Sequence, residues 1–211
     1  MSKNRPSRLL RIYAENPEMS KIRMVVDAMK QGAIVIYPTD TIYAMGCDIH
    51  RPGAIERIVK YKSFNGQVPQ FSLICEDISQ ISEYTKVIGN DIFKVLKRNL
   101  PGPFTFILES GKKVPKTLNQ KRKTIGMRVP DNGINAALIK ELGNPMITTS
   151  IRQNDDILEY LTSPELIFDA YKNVVDYIID GGPGGNVPST IVDCSKGAPE
   201  IVREGLGMLN L

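Results

Sequence analysis

The chain has 211 residues, of which 42% are hydrophobic and 24% charged, and its formal net charge is +4. This composition predicts one globular domain, residues 1–211, with a single substantial core. No apolar run approaches the ~20 residues of a membrane helix and the start of the chain lacks a signal-peptide block, so we expect a cytoplasmic protein without a membrane partner.

Helices and strands alternate along the sequence. Ser20 can cap the first helix, whose apolar residues recur at helical spacing, and Gly32 ends it. Next come a strand at 33–37, a helix at about 53–62, a strand at about 71–75, a helix around 92–96, a strand at 104–108, a strand at 124–129, a helix around 134–142, a strand at 146–150, a helix near 164–172 and strands near 175–179, 190–194 and 200–203. This order indicates an α/β layered fold, and two short links that could form hairpins predict a mixed sheet.

The cysteines and the histidine restrict the chemistry that the chain can perform. Cys47, Cys75 and Cys194 are far apart and form no C-x-x-C pair, which argues against a disulfide framework or a zinc site. The one histidine, His50, lies next to a predicted turn, where a catalytic triad is not expected. We predict no fixed metal site, and any catalysis must come from positioning and charge.

Small polar side chains close two of the apolar strands. The residues "TDT" (39–41) follow the strand at 33–37, and "TTS" (148–150) ends "MITTS". Ligands bind at strand ends in open α/β sheets, and hydroxyls there can donate to phosphate or carboxylate oxygens. The alternative is that these hydroxyls form local turns or helix caps. An anion pocket is favoured by the cations that accompany them: Lys60, Lys62, Arg128 and Arg203.

Two further segments have the composition of phosphate-binding sites. The segment 112–128 contains no acid, and its basic residues are Lys112, Lys113, Lys116, Lys121, Arg122, Lys123 and Arg128. It would attract phosphates, or else form a solvated loop. The glycine-rich "GGPGGNVPST" (181–190) lacks the G-K-[ST] ending and leads into a strand, so we predict a flexible turn there.

Seven segments together resemble a known family. In chain order they are "YPTDTIYAMGCDI", "IVKYK", "PGPFTFIL", "KTIGMRVPDN", "PMITTS", "STIVDC" and "IVREG". The ordered set, which covers nearly the whole chain, resembles the YrdC-like family of threonylcarbamoyl-AMP synthases. The resemblance implies a twisted open α/β sheet with flanking helices and a deep basic concave face that binds double-stranded RNA or tRNA. It also implies joining of L-threonine, bicarbonate and ATP, with Mg2+ brought by ATP, into L-threonylcarbamoyladenylate and pyrophosphate, for the t6A modification of tRNA.

The resemblance assigns roles to individual residues. The ATP side would be formed by Lys60, Lys62, Gln70, Thr124, Ser150 and Arg203. The L-threonine side would be formed by Thr41, Cys75, Arg128, Thr148 and Ser189. Arg128 is expected to hold the amino-acid carboxylate with two parallel hydrogen bonds. The basic segment would supply the RNA contacts, through Lys112, Lys113, Lys116, Lys121, Arg122 and Lys123.

The chain also departs from the family's motifs. The family's K-x-R is Lys60-Tyr61-Lys62 here, its Asn-Pro-Leu is Gln70-Phe71-Ser72, its later histidine falls on Cys75, and its Ser-x-Asn is Ser150-Ile151-Arg152. A lysine in place of the arginine replaces a planar fork by a point charge. This combination resembles the YciO-type branch.

Three functions remain open on this basis. The first is synthesis of threonylcarbamoyl-AMP. The second is adenylation of another acceptor, since Cys75 and Arg152 would reshape the acceptor side of the pocket. The third is a non-catalytic protein that binds structured RNA through its phosphates.

Overall fold

The structure is a computed structural model and describes residues 7–63, 70–119, 123–151 and 161–211. In chain order its elements are β1 (Arg8–Arg11), α1 (Met19–Lys30), β2 (Val35–Tyr37), β3 (Ala44–Asp48), α2 (Pro52–Lys62), β4 (Ser72–Ile74), α3 (Ile78–Tyr84), α4 (Asn90–Asn99), β5 (Phe104–Glu109), α5 (Lys116–Asn119), β6 (Thr124–Arg128), α6 (Gly133–Leu142), β7 (Met146–Ser150), α7 (Pro164–Tyr171), β8 (Tyr177–Asp180), β9 (Thr190–Asp193) and β10 (Glu200–Arg203). The α/β prediction is confirmed. Among the helices of these ranges, none combines the length and apolar character needed to cross a membrane.

The described strands form one twisted, open sheet of ten strands. Their order is β1-β8-β2-β3-β7-β4-β6-β5-β9-β10. The pairs β1/β8, β2/β8, β4/β6 and β5/β9 are parallel, and the other neighbouring pairs are antiparallel. The prediction of a mixed sheet is therefore confirmed, and the antiparallel pairs β2/β3 and β9/β10 are each joined by a short link.

Helix α1 buries the stripe that its spacing predicts: Ile22, Val25, Val26 and Met29. It begins at Met19, and its N-cap residue is Glu18. The prediction that Ser20 caps this helix is therefore wrong. Ser20 lies within the first turn, where its hydroxyl donates to the carboxylate of Glu18 at 2.9 Å.

The two faces of the sheet carry separate cores, because successive residues of a strand point to opposite sides. Helices α2, α3, α4 and α7 cover the first face, whose core includes Leu73, Phe106 and Met127. Helices α1 and α6 cover part of the second face, around Val35 and Met146. All three cysteines are buried and free.

The second face becomes small and polar where it leaves α1 and α6. Strand register places Gly46, Thr148, Ser72, Gly126 and Ile107 opposite one another across five neighbouring strands. We call this part of the second face, over β7, β4, β6, β5 and β9, the site face. Small residues are required there, because a Cβ at Gly126 would lie 2.3 Å from the hydroxyl oxygen of Ser72.

A bulge in the last strand changes which side of the sheet Arg203 faces. In the β9/β10 pair, Ile201 lies opposite Val192. Regular pairing would then place Arg203 opposite Thr190, but Arg203 lies opposite Ile191. The extra residue is Val202. Because a bulge reverses the alternation of side chains, Arg203 points to the site face and not toward the core that contains Val192.

Candidate functional site

Arg128 ends β6 on the site face and is 7% exposed. Its Nη2 donates to Asp40 Oδ1 at 2.9 Å and to Thr41 Oγ1 at 3.1 Å. The other carboxylate oxygen of Asp40 accepts from the backbone N–H of Asp131 at 3.1 Å. Nε of Arg128 is buried, with no hydrogen-bond partner among the described residues. The guanidinium therefore contacts Asp40 through one nitrogen and keeps donor capacity for a second anion.

Burial acts on both members of the Arg128–Asp40 pair. Burial lowers the pKa of the Arg128 guanidinium; Asp40 opposes this change, and the positive charge of Arg203 adds to it. Burial also raises the pKa of the Asp40 carboxyl, which the Arg128 charge opposes. The pair thus depends on its mutual contact, and Arg203 lies near enough to Arg128 to influence it.

The hydroxyls of the 39–41 loop are used within the protein. Thr39 Oγ1 donates to the carbonyl of Ile42 at 2.8 Å and accepts from the N–H of Thr41 at 3.1 Å, which is a local threonine turn. Thr41 Oγ1 accepts from Arg128. The alternative interpretation of a local turn therefore describes Thr39, whereas Thr41 belongs to the surroundings of Arg128.

Two more candidate hydroxyls are oriented by buried neighbours. Tyr37 donates from its phenol to Thr148 Oγ1 at 2.9 Å, and Ser189 Oγ lies 2.8 Å from Thr105 Oγ1. An oxygen that accepts in this way keeps its own hydrogen for a different acceptor. The hydroxyl of Thr148 can therefore donate its hydrogen to an oxygen of a ligand, such as a carboxylate or phosphate oxygen.

We expect Tyr37→Phe to lower the free energy of unfolding by about 1 kcal/mol, because the buried hydrogen bond to Thr148 is lost without a change of shape. Ligand binding at Thr148 should also weaken. Thermal unfolding and amino-acid binding would measure the two effects. Tyr13→Phe is the matched control, since Tyr13 is 60% exposed and should leave both quantities unchanged. Equal behaviour of the two variants would contradict this role of Tyr37.

Of the candidates for the ATP side, Thr124, Ser150 and Arg203 lie on the site face. Lys60 and Lys62 belong to α2, which covers the first face. Lys62 Nζ donates to the carbonyl of Ser150 at 2.8 Å, which joins the end of α2 to the end of β7. Arg203 Nη2 donates to the carbonyl of Ser189 at 2.7 Å. Thr124 begins β6 and shares the site face with Arg128, four residues further along. Lys60 and Gln70 are exposed.

Cys75 is the candidate that the structure does not bring to the site face. It follows β4, where Ser72 and Ile74 point to the second face, and its side chain belongs to the core of the first face. Its backbone N–H donates to the carbonyl of Arg128 at 2.9 Å. Burial raises the pKa of its thiol. The backbone of Cys75 therefore hydrogen-bonds to the end of β6, while its thiol lies in the core of the first face, because side chains alternate along β4.

A cavity of about 230 Å3 lies beside Asp40, between the 38–41 loop and the glycine-rich segment. The glycines permit close contact: a Cβ at Gly185 would lie 2.2 Å from the carbonyl oxygen of Thr41, and one at Gly184 would lie 2.6 Å from the ring of Tyr43. As predicted, the segment leads into a strand, β9. Its glycines thus shape the wall of a cavity.

The basic segment is only partly within the described residues. Lys112, Lys116 and Lys123 are exposed. Lys113 is paired with Glu83, with 2.7 Å between Nζ and Oε2. Lys121 and Arg122 lie outside the described residues, as does the motif residue Arg152. RNA binding by this segment stays a prediction.

The sequence places Asp40 at a strand end where ligands bind but assigns it no role, and it does not identify Tyr37 or Thr105 as parts of the site. Asp40 stands in the quoted "TDT", but its partner Arg128 is 88 residues away. Thr105 had a signal: it is the one polar residue within the apolar run "FTFIL". Tyr37 had none, because a tyrosine in a buried strand is ordinary core.

Three comparisons place the chain among known proteins. A family model, Sua5_yciO_yrdC, described as "Telomere recombination", matches residues 27–205. The crystal structure of Escherichia coli YciO has 41% identity, a TM-score of 0.88, and coverage of 96% of this chain and 97% of that one. Pyrococcus abyssi Sua5 complexed with L-threonine has 26% identity, a TM-score of 0.84, and coverage of 94% and 58%. "Threonylcarbamoyl-AMP synthase" of Mus musculus is 27% identical over 212 residues, which are 94% of this chain and 73% of that protein.

Proposed function

The chain belongs to the Sua5/YciO/YrdC family, and from that premise we propose that it is an ATP-dependent nucleotidyltransferase of the threonylcarbamoyl-AMP synthase type. L-threonine or a related small amino acid, bicarbonate and ATP would give a carbamoyl adenylate, pyrophosphate and water. The expected cellular use of the product is the t6A modification of tRNA. The named relatives that are threonylcarbamoyl-AMP synthases support this class of reaction.

One observation carries the proposal: Arg128, Thr148, Ser150 and Arg203 come from three separate strands, β6, β7 and β10, and share the site face. Two guanidinium groups and two hydroxyl groups on one side of a sheet can bind a carboxylate and a phosphate chain together. The residues between them on β4 and β6, Ser72 and Gly126, are small.

The proposed mechanism relies on alignment and charge. Arg128 holds the acceptor carboxylate, while Lys62, Ser150 and Arg203 hold the nucleotide. A carbamate oxygen attacks the α-phosphorus and pyrophosphate leaves, so the cations stabilise the charge that develops. Mg2+ would arrive with ATP, bound to the oxygens of the triphosphate.

The exposed lysines of the basic segment favour a second role. Lys112, Lys116 and Lys123 are available to phosphates of a structured RNA. Binding of tRNA or duplex RNA by this surface is compatible with the enzymatic function. It would bring the product close to its acceptor.

The test is release of pyrophosphate from ATP by the full chain, with bicarbonate and each amino acid in turn, and detection of the carbamoyl adenylate by mass. Arg203→Ala is expected to lower kcat/KM for ATP by about tenfold or more, because a charge-assisted contact is lost. Arg98→Ala is the matched control, since Arg98 is an exposed residue of α4 on the opposite face. No release with any amino acid, or equal activity of both variants, would contradict the proposal.

A further inference from the structure

The cavity beside Asp40 has an unusual charge distribution. Its volume is about 230 Å3, and among the described residues that line it, Asp40 alone carries a charge. The other lining groups are hydroxyls and amides, such as those of Thr39, Thr41 and Asn132, the backbone of the glycine-rich segment, and the apolar side chains of Pro38, Pro183, Val187 and Leu206. Arg128 is not among the lining residues. A molecule in this cavity therefore meets the carboxylate and not the guanidinium.

Asp40 is fixed in place but keeps capacity to bind. Its side chain is 8% exposed, Oδ1 accepts from Arg128 at 2.9 Å, and Oδ2 accepts from the N–H of Asp131 at 3.1 Å. Two carboxylate oxygens can together accept about four hydrogen bonds, so Arg128 and Asp131 do not use the whole capacity of the group. The partners hold the carboxylate at the boundary between Arg128 and the cavity.

We propose that this cavity binds the ammonium group of the acceptor amino acid, with Asp40 as its hydrogen-bond acceptor. This inference rests on the proposed function and adds the recognition of the amine. The carboxylate of the same molecule then lies at Arg128, so that the two charges of a zwitterion are divided between the two members of one ion pair. Asp40 thereby selects α-amino acids over other carboxylic acids.

The electrostatic reason is the neutrality of the buried pair. Arg128 and Asp40 together carry no net charge, and neither does a zwitterionic amino acid. A carboxylate without an amine would place an uncompensated negative charge beside Asp40 in a dehydrated site, which is unfavourable. The cavity is smaller than the ~300 Å3 at the lower end of ligand pockets, which suits an ammonium group and its immediate substituents.

The test measures binding of two ligands without ATP, by calorimetry. L-threonine and 3-hydroxybutanoate share the carboxylate and the hydroxyl, and only L-threonine has the amine. The wild type should prefer L-threonine by about tenfold or more. Asp40→Asn, which keeps the shape and removes the charge, should lose about tenfold for L-threonine and less than about twofold for 3-hydroxybutanoate.

Asp131→Asn is the matched control, because it removes an equal charge nearby while its backbone N–H still binds Asp40. It should leave both affinities unchanged. Equal losses for the two ligands in Asp40→Asn would overturn the inference, since Asp40 would then act only by holding Arg128. If Asp40→Asn does not fold, the wild type decides alone: equal or absent binding of the two ligands overturns the inference. Release of pyrophosphate tests the proposed function in a separate assay. If the protein prefers L-threonine in the binding test but releases no pyrophosphate, the proposed function is rejected and the assignment of the cavity to the amine stands.

Discussion

Arg128→Ala is expected to lower the free energy of unfolding by about 3–5 kcal/mol and to abolish pyrophosphate release dependent on an amino acid. The variant leaves the Asp40 carboxylate buried without its counter-ion, because both side chains are at most 8% exposed. It also removes the group proposed to hold the acceptor. Denaturant unfolding and the pyrophosphate assay would measure the two effects.

Two further variants test whether the loss of unfolding free energy in Arg128→Ala comes from the unpaired Asp40 or from the removal of an arginine as such. Arg57→Ala breaks the pair with Asp176, whose side chains are 47% and 40% exposed, and should cost less than about 1 kcal/mol. The double variant Arg128→Ala with Asp40→Ala should be more stable than Arg128→Ala alone, since no buried charge is left unpaired. Unchanged turnover in Arg128→Ala would defeat the assignment of Arg128 to the acceptor.

Gly46→Ala is expected to lower the free energy of unfolding by about 3 kcal/mol. A Cβ at this position would lie 2.3 Å from the carbonyl oxygen of Ile147 and 2.7 Å from the phenol oxygen of Tyr37. The first contact is with backbone of the paired strand β7, which cannot move without disturbing the centre of the sheet. The second would displace Tyr37 from Thr148, so ligand binding should fall as well.

Gly53→Ala is the matched control for this change. Position 53 lies in α2 and has nothing within 4 Å of the added Cβ. Alanine is the better helix former, so this variant should be neutral or more stable by up to about 1 kcal/mol. Similar melting temperatures for the two variants would show that β3 and β7 can separate, contrary to the close packing at Gly46.

Elements with strong periodicity were predictable from the sequence. The stripe of α1 and the apolar run of β7 gave the correct element type. Strand β3 was not predicted, because Ala44–Asp48 is buried on both sides and shows no alternation of apolar and polar residues. Helix α3 was missed because it has only seven residues, although Asp77 accepts from the N–H of Gln80 and caps its start.

The chemical content of the site was more predictable than its geometry. The position of Arg128 and of the hydroxyls at the ends of strands follows from the motifs. Which face each side chain takes depends on strand register, which pairs residues far apart in sequence. Cys75 is an example. Its place in the motif predicts the amino-acid side of the site, whereas alternation along β4 directs its thiol into the core of the first face.

The bulge at Val202 determines which face of the sheet the side chain of Arg203 takes. Arg203 lies opposite Ile191 because two residues of β10, Val202 and Arg203, share one position of β9. If the same residues paired without the bulge, Val202 would lie opposite Ile191 and present an aliphatic side chain to the site face, and the guanidinium of Arg203 would face the hydrocarbon core. The pairing register of β10, as well as its composition, therefore decides which face of the sheet Arg203 takes.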